Sequence, residues 1–272
     1  MINRVIISGG LGNQMFQYAF AKALRHKGIP TKIDISLFNH IKMHNGYELY
    51  RIFGINEDLI DKKGLFLIVL RIILRFKPTW LVKTDTIKYD PKNLLSRKRY
   101  FSGVWLSELY FKEIEADIRN TYKFKNIDPL NEELALKMKN CNSVSVHIRR
   151  GDYAECGISL LGFRYYISAI SIINDKVSNP KFYFFSDDIT VAKDIAEQMN
   201  VDYTIISHNQ GEKSYQDMFL MSQCKYNIIA NSSFSWWGAW LNTFHDKIVI
   251  SPKKWVESDD LHNPQLDSWI LI

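Results

Sequence analysis

The sequence predicts an α/β protein of two parallel-sheet domains, and three observations carry that prediction. Residues 4–35 read as strand, glycine turn, helix and strand, a βαβ opening. From residue 143 onward, short apolar strands alternate with helical stretches. At 272 residues the chain has room for two ordinary domains. Strands that alternate with helices build parallel sheets covered on both faces.

In chain order, the apolar run Arg4 to Ser8 is broken by Gly9-Gly10. The helix that follows from about Asn13 puts Phe16, Phe20, Ala23 and Leu24 on one face. Arg25, His26 and Lys27 in its last turn, Gly28 at the C′ position and Pro30 beyond mark its end. Thr31 to Ile35 is the next strand. Residues 38–140 mix an apolar run, a stretch without clear period at 83–100 and a helix-like NEELALKMKN at 131–140, and are expected to be helical decoration completing an N-terminal domain of residues 1–140. The second domain, 141–272, carries expected strands at 143–148, 181–185, 203–206, 226–230 and 247–250. Helices are expected near 163–174, 190–199, 214–223 and 234–242, with the extreme C terminus packing back on the N-terminal domain.

Composition narrows the class. Hydrophobic residues at 46% and charged residues at 24% describe a globular chain and exclude disorder. A net charge of +6 suits an anionic ligand or membrane surface and is too small to argue for nucleic acid. Cys141, Cys156 and Cys224 form no CxxC pair, which favours reduced thiols. With a strand in place of a leader at the start, they point to the cytoplasm. The apolar run Leu65 to Phe76 is 12 residues long and interrupted by Arg71, whereas a membrane span needs about 20. It reads as a buried helix; the second reading is a helix on the inner membrane surface, using Arg71, Arg75 and Lys77.

Function is expected beyond the carboxyl ends of the strands, where open parallel sheets bind ligands. Polar clusters recur there: His147, Arg149, Arg150 and Asp152 after one strand, Ser186, Asp187 and Asp188 after the next. Asn231, Ser232 and Ser233 follow a third, ahead of Phe234, and Ser251-Pro252-Lys253-Lys254 a fourth. Arginines can grip phosphate bidentately, and alternation along a strand would put His147 and Arg149 on one side and Arg150 on the other. One arginine then reaches the ligand while the other pairs with Asp152 or Asp188. A serine before the helix at 234 can cap it or help its free N–H groups hold an anion. Asp187 or Asp188 can accept two hydrogen bonds from guanine, or one of the pair caps the helix that follows. No D-x-D and no histidine–carboxylate spacing supports a metal. Trp236, Trp237 and Trp240 read as helix packing. The turn Gly9 to Gln14 is neither a P-loop nor a complete dinucleotide fingerprint. The histidines of HIKMH, 40–44, have helical spacing but no glutamate partner.

The blocks GGLGNQMFQYAFAKAL (9–24), VSVHIRRGDY (144–153), FYFFSDD (182–188), DMFLMSQCKYNIIANSSFSWWGAWLN (217–242) and SPKKW (251–255) closely resemble the bacterial α-1,2-fucosyltransferases of glycosyltransferase family 11. The blocks occur in that family's order, and the likeness is weakest over about 55–140. The resemblance implies a GT-B-like pair of Rossmann-type domains facing across a cleft, the N-terminal one on the acceptor side and the C-terminal one binding donor. It implies GDP-β-L-fucose as donor, no cofactor and no metal. Fucose would pass with inversion to the 2-hydroxyl of a terminal galactose in a glycan acceptor. Arg149 would hold the diphosphate, Asp187 would read guanine, and Ser232 and Ser233 would meet phosphate. His147 would lie near the ribose or phosphate, and Asn13, flanked by Gly10, Gly12 and Gln14, would face the donor. Asp152, Glu155 and His147 are the candidate bases, together with an unassigned base on the acceptor domain. The alternatives are another linkage or acceptor, or a nucleotide-sugar-binding module without catalysis. No protein partner is implied.

Overall fold

The computed structural model describes residues 2–39, 44–57, 59–62, 81–83, 88–96, 100–151, 160–255 and 264–272. The chain divides into two compact units, Met1–Lys125 and Asn126–Ile272. The division falls earlier than the expected boundary at residue 140, because the helix Pro129–Lys139 packs in the second unit.

In the first unit, β1 (Asn3–Ile6) is followed by α1 (Leu11–His26), β2 (Thr31–Asp34), α2 (Leu49–Phe53), β3 (Leu59–Ile60), β4 (Leu81–Lys83), β5 (Tyr100–Ser102) and α3 (Glu115–Thr121). The sheet order is β3-β2-β1-β5-β4, with every pair parallel. The segment expected to be helical decoration therefore contributes three strands, one of them beside β1. These strands are only two or three residues long, too short for an alternating period to show. The apolar run 65–76 lies outside the described residues.

The end of α1 is as its sequence demands. Gly28 takes φ +72° and donates its N–H to the Arg25 carbonyl at 2.9 Å, a left-handed turn that glycine enters without steric cost. The helix buries far more than one face, however: Met15, Phe16, Tyr18, Ala19, Phe20 and Ala21 are all inaccessible. An aromatic cluster accounts for this, with Phe20 stacked on Trp105 at 4.1 Å and edge-on to Tyr110 at 5.2 Å.

The second unit begins with α4 (Pro129–Lys139) and β6 (Asn142–Ile148). It continues through α5 (Phe163–Lys176), β7 (Pro180–Ser186), α6 (Ile189–Gln198), β8 (Tyr203–Ile206) and α7 (Tyr215–Gln223). It ends with β9 (Tyr226–Ile228), α8 (Ser233–Leu241), β10 (Val249–Ser251) and β11 (Ile270–Leu271). All strands are parallel, in the order β11-β10-β9-β6-β7-β8. The order reverses at β6/β9, the switch point where doubly wound sheets bind nucleotides. At the C terminus, Ile270 and Leu271 pair with Ile250 and Ser251 in this sheet.

Alternation divides the strands between two cores. Val144, Val146, Ile148, Phe182 and Phe184 pack with α5 and α6. Tyr183 and Phe185 pack with Ala135 and Met138 of α4 and Leu220 and Met221 of α7. Trp236, Trp237 and Trp240 are fully buried, as helix packing requires, with Trp236 and Trp240 stacked at 6.1 Å.

Helices α7 and α8 approach closely at Gly238, where an added Cβ would lie 2.9 Å from Met221 Cβ. Alanine is the better helix former by about 1 kcal/mol, but overpacking of this kind costs about 1–3 kcal/mol. Gly238→Ala is expected to destabilise the protein, read as a lower urea midpoint; an unchanged or higher midpoint would show that the helices separate freely.

Candidate functional site

The polar strand ends found in sequence belong to β10, β9, β6 and β7, four consecutive strands of one parallel sheet. Their carboxyl ends therefore lie along one rim, and the β6/β7 portion is the best defined. Register sets Ile148 opposite Ser186, which brings the chain after β6 against the chain after β7.

Asp187 closes that junction. Its Oδ1 accepts the Arg150 N–H at 2.9 Å and its Oδ2 accepts the Gly151 N–H at 3.0 Å. The Arg149 Nη1 lies 2.9 Å from the same Oδ2. A Cβ on Gly151 would stand 2.7 Å from Oδ2, so a side chain here would have to displace the carboxylate. Asp188 caps α6 by accepting the Val191 N–H at 3.2 Å and faces Arg150 Nε at 3.7 Å. The Ser186 hydroxyl shapes the turn, accepting the Asp188 N–H and donating to the Asp188 carbonyl, both at 2.9 Å. An open groove of about 480 Å³ is lined by Arg150, Gly151, Leu160, Asp187, Asp188 and Ile189.

Two expectations change. The strand ends at Ile148, so strict alternation does not extend to the arginines, and they separate instead by pairing with different carboxylates. Asp187, expected to read guanine, already holds three donors in the β6 turn, close to the capacity of one carboxylate.

His147 is the last inward-facing residue of its side of β6. It is buried, its ring 5.8 Å from that of Phe234 on the first turn of α8, and Nδ1 has no hydrogen-bond partner among the described residues. Burial, with the Arg149 charge second, pushes its pKa down to about 3. The ring is neutral at physiological pH and a weak base, which counts against its candidacy as proton acceptor. Asn231 is buried and donates from Nδ2 to the Trp255 carbonyl at 3.2 Å. Ser232 precedes α8 in extended conformation without a side-chain capping bond, and Ser233 is the helix's first residue. Asp152 and Glu155 lie outside the described residues.

The remaining predicted residues belong to the first unit. Gly10 precedes α1, while Gly12 and the half-buried Asn13 occupy its first turn. Gln14 is wholly buried, and its amide is used internally: Nε2 donates to the carbonyls of Gly9 and Gly46 at 2.9 and 2.8 Å, and Oε1 accepts the Glu48 N–H at 2.9 Å. It is a structural staple, not a ligand contact.

A model of glycosyl transferase family 11 matches residues 88–272. An α-1,2-colitosyltransferase of Escherichia coli is 34% identical over 98% of this chain and 97% of its own. The chain belongs to glycosyltransferase family 11. An O-antigen biosynthesis glycosyltransferase of Escherichia coli, WbnK, is likewise 34% identical over 97% of this chain and 98% of its own. This family 11 enzyme shares its fold with the α-1,6-fucosyltransferase NodZ, whose GDP-fucose-soaked crystal structure covers 88% of this chain and 92% of its own. That match has a TM-score of 0.52 at 14% identity. Both units are Rossmann-like, and the fold is GT-B-like.

Sequence reasoning passed over Asp217, on the first turns of α7. Burial raises its carboxyl to about 7, opposed by a hydrogen bond from Asn209 Nδ2 at 2.8 Å. Asn209 joins Asn131 and Gln216 in a buried amide network. An acidic residue inside the quoted DMFLMSQ block was the available signal, masked there by its resemblance to an ordinary helix.

The His147 shift fixes a pH dependence. Its folded pKa is depressed, so its contribution is complete above about 6.5 and is lost as pH falls toward about 3. His147→Gln should therefore gain on the native protein by about 2 kcal/mol between pH 7.5 and pH 5, read from paired urea titrations. Parallel curves would mean that the imidazole is charged in the folded state.

Proposed function

We propose that this family 11 enzyme transfers L-fucose from GDP-β-L-fucose, with inversion and without a metal, to the 2-hydroxyl of a terminal galactose. The acceptor would be a bacterial surface polysaccharide or oligosaccharide precursor, met in the cytoplasm or at the inner membrane face. Among the described residues, no helix is long and apolar enough to cross a membrane.

The observation that carries the reading is the anchored arginine at the switch point. Breaking a glycosyl–phosphate bond leaves charge growing on the diphosphate, which must be neutralised in place. Arg149 is held at 2.9 Å by a carboxylate that is itself fixed by two backbone N–H groups. A guanidinium has five donors in a rigid fork, so it can keep that carboxylate and meet a phosphate together. The start of α8, on the neighbouring strand end, adds backbone N–H groups suited to an anion. In this reading Asp187 orients Arg149, and Ser232 and Ser233 lie at the phosphate.

A second donor deserves a direct comparison because of the α-1,2-colitosyltransferase relative. Colitose is 3-deoxy-L-fucose, so both sugars fit one chemistry and differ by a single hydroxyl.

The test is to mix GDP-fucose, a β-galactoside and EDTA, follow GDP release, and determine the product linkage by NMR. An α-1,2 product formed undiminished by EDTA is expected; a different linkage, dependence on a divalent ion, or preference for GDP-colitose would each overturn the corresponding part. Arg149→Ala should lower kcat about 10²–10³-fold, the scale of losing one transition-state donor, and more than Arg150→Ala. The reverse ranking would reassign the diphosphate to Arg150.

A further inference from the structure

The open groove beside the arginine turn has two faces of different chemistry. Arg150, Asp187 and Asp188 give it charged groups, while Leu160 and Ile189 give it aliphatic ones. Both aliphatic side chains are exposed to solvent, and both stand on fixed backbone. Ile189 opens α6 directly after its capping residue Asp188. Leu160 precedes Leu161, which packs on the core beneath. An exposed apolar pair set in a polar groove gains free energy when a ligand covers it.

Asp187 joins this groove to the proposed diphosphate site. Its carboxylate lines the groove and also holds Arg149 at 2.9 Å. The second anion-binding element, the start of α8, follows β9, which borders β6 on the side away from β7. A diphosphate held between Arg149 and α8 therefore lies over β6 and β9. The groove continues from it over β6 and β7.

The lining distinguishes the two ends of a nucleotide sugar. Bases are commonly held by stacking on aromatic rings, and none is among the described residues of the groove. A 6-deoxy sugar instead presents hydroxyls around its ring and one methyl group. Arg150 Nε and Asp188 Oδ2 stand 3.7 Å apart, longer than a hydrogen bond, so both can turn to sugar hydroxyls. Leu160 and Ile189 offer the methyl an apolar wall.

We infer that Leu160 and Ile189 select the donor sugar by its C6 methyl group, an assignment that rests on the function proposed above. The two side chains take the methyl out of water. A C6 hydroxyl in the same place loses its water partners and gains none. Fucose and colitose both carry this methyl, so the selection holds for either donor and acts against L-galactose, the 6-hydroxylated counterpart of L-fucose.

The experiment measures kcat/KM for GDP-β-L-fucose and GDP-β-L-galactose with one β-galactoside acceptor. It compares wild type, Leu160→Asn, Ile189→Asn and the double variant, with GDP affinity measured by calorimetry. Wild type should favour GDP-fucose at least about tenfold, because an apolar wall rejects an added hydroxyl only moderately. The double variant should lower that preference at least about fivefold, and each single variant should move it the same way. The rate on GDP-L-galactose should be maintained or raised, with GDP affinity and acceptor KM unchanged. A wild type that uses both donors alike, an unchanged preference in the variants, or an equal loss with both donors overturns the assignment. So does a fall in GDP affinity, which would give the groove to the nucleoside, or a rise in acceptor KM alone, which would give it to the acceptor. Wild-type enzyme that turns over neither GDP-fucose nor GDP-colitose would instead sink the proposed function.

Discussion

The Asp187 carboxylate is the constraint on which the rest of the site depends. One side chain at the end of β7 fixes three donors from the end of β6: two backbone N–H groups and the Arg149 guanidinium. The contact exists because β6 and β7 are parallel neighbours in a register that sets Ile148 beside Ser186. Charge-assisted bonds to ionised groups are roughly twice as strong as neutral ones, and here they spare the arginine a search through its rotamers. A preorganised cation is what catalysis of phosphate departure demands, because it need not be rearranged while the bond breaks.

The same economy recurs in the first unit with neutral groups. Gln14 and Gln17, both on α1, each satisfy backbone atoms from two separate segments. A buried amide that lost these partners would leave several polar groups unsatisfied, each costing about 1–3 kcal/mol. Both units therefore spend polar side chains on holding switch-point turns in place.

His147 shows why residue type alone did not settle roles. In the HIRRGD stretch it reads as a base candidate, since histidine ordinarily titrates near neutrality. Burial, with the Arg149 charge second, makes it a neutral ring instead, packed against Phe234. Asp217 departs in the opposite direction, a carboxyl that burial raises to about 7. Both shifts come from desolvation, which one-dimensional spacing does not record.

The sequence by itself determined the alternating elements of the second unit, the termination of α1 at Gly28, the burial of the tryptophans on α8 and the family. These follow from local causes: periodicity, glycine conformation and apolar content. The location of the polar strand ends was legible for the same reason, since strand order in a parallel sheet collects carboxyl ends on one rim. Only the tertiary structure decided that 38–140 contributes strands, that Pro129–Lys139 belongs to the second unit, and that Gln14 is a staple. It alone showed Asp187 engaged with the arginine turn. Those outcomes depend on pairings between residues 30 or more positions apart, such as Gln14 with Gly46 and Arg150 with Asp187. Strands of two or three residues and hydrogen bonds across such separations leave no period in the chain, so packing had to choose among partners the sequence left equivalent.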